Sequence, residues 1–132
     1  MAGGERQWKA VEVEGAPAPA GAYSRAIRAG EWLFVSGQVP REFDSGELMG
    51  EDIESQTRAV LGNLRRVLRA AGADMSDVVS VTVYLADMAD WGAFDDVYRE
   101  AFEAPFPTRT TVGAQLHGVL VEISAVARVG TD

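Results

Sequence analysis

The stretch 105–129, PFPTRTTVGAQLHGVLVEISAVARV, places one arginine and one glutamate in what are otherwise two apolar strands joined by a short turn. Arginine presents a planar fork that can hold a carboxylate through two parallel hydrogen bonds. A glutamate in partly apolar surroundings can transfer protons, because loss of hydration raises its pKa. Arg109 and Glu122 could therefore bind a small carboxylic acid and do acid–base chemistry on it.

Both residues also admit structural interpretations. Glu122 could lie on a solvated outer face of its strand or in an interface ion pair, since the opposite face of that strand is wholly apolar. Arg109 could form a structural salt bridge, including one with Glu122 across the hairpin. Spacing alone leaves these alternatives open.

Three further residues are candidates for a ligand pocket. Ser36 and Gly37, in VSGQV, offer a hydroxyl group beside an unshielded N–H, although the pair also fits a plain turn that leaves a strand. Tyr23 lies in a loop rich in glycine and proline.

His117 is the only histidine and is expected in an exposed turn. With a single histidine and no cysteine, a transition-metal site is disfavoured.

Composition narrows the class of protein. A chain of 132 residues with 47% apolar and 24% charged residues is typical of one soluble globular domain. The net charge of −8 disfavours binding to nucleic acid. No segment approaches the roughly 20 apolar residues that span a bilayer, and no signal peptide is visible, so we expect a cytoplasmic protein without a membrane partner.

Apolar periodicity predicts the element order β, β, β, α, β, α, β, β. The predicted ranges are a strand at 9–15, a hairpin at 25–39, a helix at 53–71, a strand at 77–87, a helix at 90–103 and two strands within 105–129. Asp52 and Asp90 are expected to cap the two helices, and Gly72 to end the first. Trp91 is expected in the buried stripe of the second helix, and Val79 on the same strand face as Val81.

This order predicts an α+β fold with one sheet and both helices packed on one face. The other face of the sheet would be left bare, which suggests that another subunit covers it. Residues 1–15 are expected to form an N-terminal segment and first strand, and residues 16–130 the body of a single domain.

Four segments in this order resemble the RidA family of small imine deaminases, also called YjgF or L-PSP. They are GAYSRAIRAGEWLFVSGQVP, DIESQTRAVLGNLRRVLRAAGADMSDVVSVTVYLADM, FDDVYREAF and FPTRTTVGAQLHGVLVEISAVA. The resemblance implies a chorismate-mutase-like fold of the bacillus type, with a mixed sheet. It further implies a homotrimer whose sheets form a central barrel, with ligand sites between neighbouring subunits.

The resemblance also implies roles for individual residues. Arg109 would grip the carboxylate of a 2-imino acid, and Glu122 would position the water that attacks the imine carbon. The implied substrate-binding set comprises Arg109, Tyr23, Ser36, Gly37, Thr111 and Trp91. Thr111 stands where cysteine is frequent and Trp91 where a smaller aromatic is found, which leaves the preferred imine open. No metal and no organic cofactor is implied.

Three functions are weighed. The first is hydrolysis of 2-iminobutanoate and 2-iminopropanoate to 2-keto acids and ammonia. The second is a non-catalytic regulator that binds a small carboxylate such as a 2-keto acid. The third is a ribonuclease or translation inhibitor, which the charge of −8 and the single histidine disfavour.

Overall fold

The computed structural model describes residues 6–130, and its elements follow the predicted order. The strands are β1 Trp8–Ala10, β2 Ala26–Ala29, β3 Trp32–Gln38, β4 Val78–Leu85, β5 Thr108–Gly113 and β6 Val121–Arg128; the helices are α1 Ile53–Ala70 and α2 Trp91–Ala101. The first strand is shorter than predicted, at 8–10 instead of 9–15. Residues 1–5 of the predicted N-terminal segment lie outside the described range.

The strands form one mixed sheet in the order β1-β2-β3-β6-β4-β5, in which only β4 and β5 run parallel. The predicted hairpin between the last two strands is therefore wrong, because β4 lies between β5 and β6. The helical crossover through α2 brings β5 back parallel to β4, as such connections do. Residues 114–120 then return the chain past the end of β4, where Ala114 donates to Leu85 and Ala86 donates to Leu120.

Both helices pack on one face of this sheet, as predicted. The inward side chains of α1 and of the central strands β4 and β6 supply fully buried residues, among them Leu64, Leu68, Val83 and Ile123. Complete burial of such a side chain contributes about 1.5–3 kcal/mol. At the start of α1, Asp52 and Ser55 form a capping box, which confirms the predicted cap.

The N-terminus of α2 differs from the prediction. Asp90 makes no capping hydrogen bond with its side chain. Instead Asp87 accepts a hydrogen bond from Ala89 N–H and caps a short 3₁₀ turn, Met88–Asp90, that leads directly into the helix. As a result Trp91 begins the helix at the rim and is 42% exposed, which corrects its predicted place in the buried stripe.

Two β-bulges change which side chains face the core. Register shifts between Val78 and Ser80 leave Val79 as an extra residue of β4. Consequently Val78 is buried and Val79 is exposed, the reverse of the prediction, and the expected alternation holds from Val81 onward. In β3 the pairing skips from Val35 to Gln38.

The sheet face opposite the helices is open and partly apolar. Its exposed aromatic residues are Trp8, Trp32 and Phe34. This bare face was predicted from the element order, and its coverage by a second copy remains a prediction.

Candidate active site

Glu122 lies on β6 and faces away from the helices, opposite Tyr84 of β4. Its carboxylate packs directly over the backbone of Gly37, so closely that a Cβ atom on residue 37 would lie 2.0 Å from Oε2. Burial of the side chain raises the pKa of Glu122. No hydrogen bond or ion pair joins this carboxylate to another residue between 6 and 130. The group is therefore partly dehydrated and free to bind a ligand or a water.

The bulge in β3 gives Glu122 its neighbours. Ser36 and Gly37 together face the single residue Ser124, because one residue is inserted in β3 relative to β6. The hydroxyl group of Ser36 donates to the carbonyl of Ser24 at 2.6 Å, which ties the bulge to the preceding loop. The bulge thus places a glycine where the carboxylate needs room.

Tyr23 belongs to the same region. It is 59% exposed and lines an open depression of about 800 Å³ together with Ser36. It also lines a neighbouring cleft of about 390 Å³ together with Gly37. We call Tyr23, Ser36, Gly37 and Glu122 the acid half-site.

Arg109 projects from β5 toward helix α2. Its Nη1 donates to Asp95 Oδ1 at 2.8 Å, and both side chains are mostly buried, with 17% and 16% of their surfaces exposed. The guanidinium carbon lies 4.6 Å from the ring centre of Tyr98 and 5.4 Å from those of Trp91 and Phe94. The alternative of a salt bridge between Arg109 and Glu122 is therefore wrong, since the partner is Asp95.

The surroundings of Arg109 leave part of its fork free. Nε and Nη2 have no partner within residues 6–130, and these two nitrogens lie along one edge of the guanidinium. Arg109 also lines a cleft of about 320 Å³ together with Asp95, Tyr98 and Arg99. Thr111 follows Arg109 on the same face of β5. We call Trp91, Asp95, Tyr98, Arg109 and Thr111 the arginine half-site.

The pKa values of the two acids of the arginine half-site are shifted in opposite directions. Burial alone would raise the pKa of Asp95, but its hydrogen bonds with Arg109 and Arg99 and their charges outweigh this, so its pKa is lowered. Burial raises the pKa of Tyr98 to about 12. Its hydroxyl group is buried with no hydrogen-bond partner in the described part of the chain. At neutral pH the half-site thus holds an ionised Asp95 and a neutral Tyr98.

The two half-sites do not meet within one chain. Arg109 pairs with Val81, whose side chain lies in the core beneath the helices. Glu122 pairs with Tyr84 on the opposite face, and β4 separates the two strands. The expectation that adjacent strands supply both groups is therefore wrong. A single ligand can contact both groups only if a second copy of the chain supplies one of them.

Asp95, Phe94 and Tyr98 were not predicted from the sequence as neighbours of Arg109. Trp91, Phe94, Asp95 and Tyr98 follow the three- and four-residue spacing of one helix face, so periodicity contained the signal. Asp95 was obscured because Asp96 stands beside it and either could be the inward acid.

Two other features of residues 6–130 bear on possible ligands and location. They contain no cluster of three or more Asp, Glu or His side chains that could hold a metal ion. Neither α1 nor α2 is sufficiently long and apolar to cross a membrane.

Two helices on one face of a mixed six-stranded sheet, with one polar half-site at β3 and β6 and another between β5 and α2, define a small two-layer α+β protein. The family model described as Endoribonuclease L-PSP matches residues 13–129, and the chain belongs to this family, which is also called the RidA or YjgF family.

Relatives with names and structures support the same assignment. A RutC family protein of Pyrococcus horikoshii is 44% identical over 89% of this chain and 94% of its own length. The mouse 2-iminobutanoate/2-iminopropanoate deaminase is 37% identical over 92% of each chain. The crystal structure of Escherichia coli TdcF with bound serine has a TM-score of 0.84 and 31% identity, and the match covers 92% of this chain and 99% of that one.

Proposed function

We propose that this protein is a cofactor-free deaminase that hydrolyses 2-imino acids, including 2-iminobutanoate and 2-iminopropanoate, to 2-keto acids and ammonia. The observation that carries the proposal is the half-buried Glu122, whose raised pKa and position over Gly37 suit a group that exchanges protons with a water. The name of the mouse relative and the serine bound to TdcF support a small substrate with a carboxylate.

The proposed reaction uses one half-site from each of two copies. The free Nε and Nη2 edge of Arg109 holds the substrate carboxylate and fixes the imine carbon in place. Glu122 of the neighbouring copy orients a water and accepts its proton as the oxygen adds to the C=N carbon. The proton passes to nitrogen, which gives a carbinolamine. Glu122 then transfers the hydroxyl proton to nitrogen as the C–N bond breaks and the C=O bond forms, so that ammonia and a 2-keto acid are released.

The proposed assembly is a homotrimer whose open sheet faces form a central barrel. The exposed aromatic residues Trp32 and Phe34 support it, because a surface of this kind is stabilised when another copy covers it. Sites shared between copies would also account for the separation of Arg109 and Glu122 within one chain.

A coupled assay tests the function. Threonine dehydratase generates the enamine and imine in situ, and the rate of 2-keto acid release is measured with and without this protein. We expect acceleration by the unmodified protein and its loss in Arg109→Ala and in Glu122→Gln. The exposed residues Arg58 and Glu103 provide matched controls, and Arg58→Ala and Glu103→Gln should retain full activity.

The same assay distinguishes the second candidate. Binding of 2-oxobutanoate to the unmodified protein without any acceleration would contradict the deaminase and support a regulator that senses the keto acid.

A further inference from the structure

The contact between Asp95 and Arg109 is not a simple surface ion pair. Both side chains are mostly buried, and the guanidinium is packed against three rings of α2. A buried guanidinium without a counter-charge would be strongly destabilising, and Asp95 offsets that cost. Asp95 comes from the middle of helix α2, a rigid element, so it also fixes the direction of the fork.

The hydrogen bond between Asp95 and Arg109 engages only one nitrogen of the guanidinium. Asp95 uses one oxygen, Oδ1, and contacts only Nη1, while its other oxygen accepts from Arg99 Nη2 at 2.9 Å. Nε and Nη2 of Arg109 are left as a pair of parallel donors in a side chain that lines the cleft. A bidentate contact from Asp95 would have occupied the fork that a ligand carboxylate needs.

The charge of the cluster is also suited to an anion. Arg109 and Arg99 each carry one positive charge and Asp95 one negative charge, so the cluster keeps a net positive charge although the chain carries −8. Arg99 occupies the second oxygen of Asp95, which keeps that oxygen from competing for Arg109.

We propose that Asp95 is a positioning residue, which holds Arg109 by Nη1 and thereby presents the Nε and Nη2 edge to the carboxylate of the ligand. This inference rests on the proposed function only in assigning the ligand to the class of 2-imino and 2-keto acids. It predicts that the acceptor oxygen of Asp95 strengthens the binding of an anionic ligand by orienting the fork, although Asp95 itself carries a negative charge.

The positioning role and simple electrostatics predict opposite changes in anion affinity when Asp95 is replaced. Removal of a negative charge beside the binding cation should tighten anion binding if only charge matters. If Asp95 positions the fork, Asp95→Ala should instead weaken binding of 2-oxobutanoate by about tenfold or more, as expected for loss of one charge-assisted hydrogen bond. Asp95→Asn, which keeps an oxygen acceptor at the same place, should restore most of the affinity.

Binding is measured by calorimetric titration of the full-length protein with 2-oxobutanoate, and thermal unfolding is recorded for every variant. Asp96→Ala, which removes the exposed neighbouring acid on α2, is the matched control and should leave the affinity unchanged. If Asp95→Ala does not fold, Asp95→Val removes the acceptor while filling more of the space. In the coupled assay, KM should rise and kcat should stay nearly unchanged, because Asp95 does not contact the reacting atoms.

Each result decides the inference. Tighter or unchanged binding in Asp95→Ala, or equal losses in Asp95→Asn and Asp95→Ala, would overturn the positioning role. If binding depends on Arg109 and Asp95 but no deamination occurs, the positioning role stands and the proposed function fails. If Arg109→Ala binds 2-oxobutanoate as well as the unmodified protein, the arginine half-site is not the ligand site and both fail.

Discussion

The two half-sites differ in how completely one chain builds them. Arg109 is enclosed by a carboxylate and three aromatic rings, all from helix α2. Glu122 is half-buried on an open sheet face and has no ionic partner within the described residues. The first region is therefore preorganised by its own chain, whereas the second has a charge without compensation.

This difference suits a division of labour. A group that only binds is most effective when it is held in one orientation, which lowers the entropy lost on binding. A group that exchanges protons requires a pKa near the working pH, which a strong counter-charge beside a carboxylate would prevent. The comparison thus predicts that changes at the arginine half-site act mainly on binding, and changes at the acid half-site mainly on rate.

The largest expected change in activity comes from combining two inactive variants in one oligomer. Arg109→Ala and Glu122→Gln subunits carrying different affinity tags are co-expressed, and hetero-oligomers are purified through both tags. If neighbouring copies of a cyclic trimer share each site, every mixed trimer regains one intact site and about one third of full activity. Each parent variant alone should remain inactive in the coupled assay. Mixed oligomers as inactive as the parents would contradict a site shared between copies.

Gly37→Ala tests the space over the acid half-site. The new Cβ atom would overlap Glu122 Oε2, at 2.0 Å, so the carboxylate must move. We expect kcat to fall by about 10- to 100-fold, the effect of a displacement on the order of 1 Å in a catalytic group. Gly62→Ala, on an open surface of α1 where an added Cβ meets nothing within 4 Å, is the control. Unchanged kcat in Gly37→Ala would argue against Glu122 as the catalytic group.

Trp91→Ala examines the rim of the arginine half-site. The indole ring lies 5.4 Å from the guanidinium carbon but is well exposed, so its contribution to holding Arg109 is small. We expect KM to rise by about two- to fivefold, in line with an exposed cation–π contact, with kcat unchanged. Trp91→Phe should lie closer to the unmodified protein. A fall in kcat larger than the rise in KM would indicate that Trp91 acts on the chemistry.

The smallest effect concerns stability. Because burial raises the pKa of Glu122, the folded chain binds this proton more tightly than the unfolded chain. The folded state therefore loses stability as pH rises from the ordinary glutamate pKa of about 4.3 through the raised pKa of Glu122. Below the ordinary value the carboxyl group is protonated in both states, and this loss is absent. Glu122→Gln should therefore raise the midpoint of thermal unfolding near pH 7 by up to a few degrees, with no difference below about pH 4. A lower midpoint for Glu122→Gln near pH 7 would contradict this account.

Local patterns were sufficient to predict the elements and one face of the sheet. The stripe of α1, the cap at Asp52 and the apolar face of β6 follow from spacing, and burial confirms them. The bulge at Val79 could not be predicted, because an inserted residue leaves no mark in a run of valines. The same limit applies to the cap at Asp87, since both Asp87 and Asp90 precede the helix and either could serve.

The candidate site was only partly predictable. Arg109 and Glu122 drew attention because charges are unusual in apolar strands, but their short separation suggested a hairpin. Strand order depends on contacts between distant segments, here the insertion of β6 between β3 and β4. Asp95 could not be assigned until that order placed β5 beneath α2.

The inserted residue in β3 has a consequence for how this protein can change over time. Upstream of the bulge the buried position is Val35, and downstream it is Gln38, so the strand's inward and outward positions switch phase at Ser36 and Gly37. A single-residue deletion here would restore regular alternation and keep Gln38 inward, but it would remove the bulge that seats Gly37 against Glu122. Loss of the inserted residue would therefore alter the reactive surface without disturbing the interior, so the site, and not the packing of the core, accounts for the extra residue in β3.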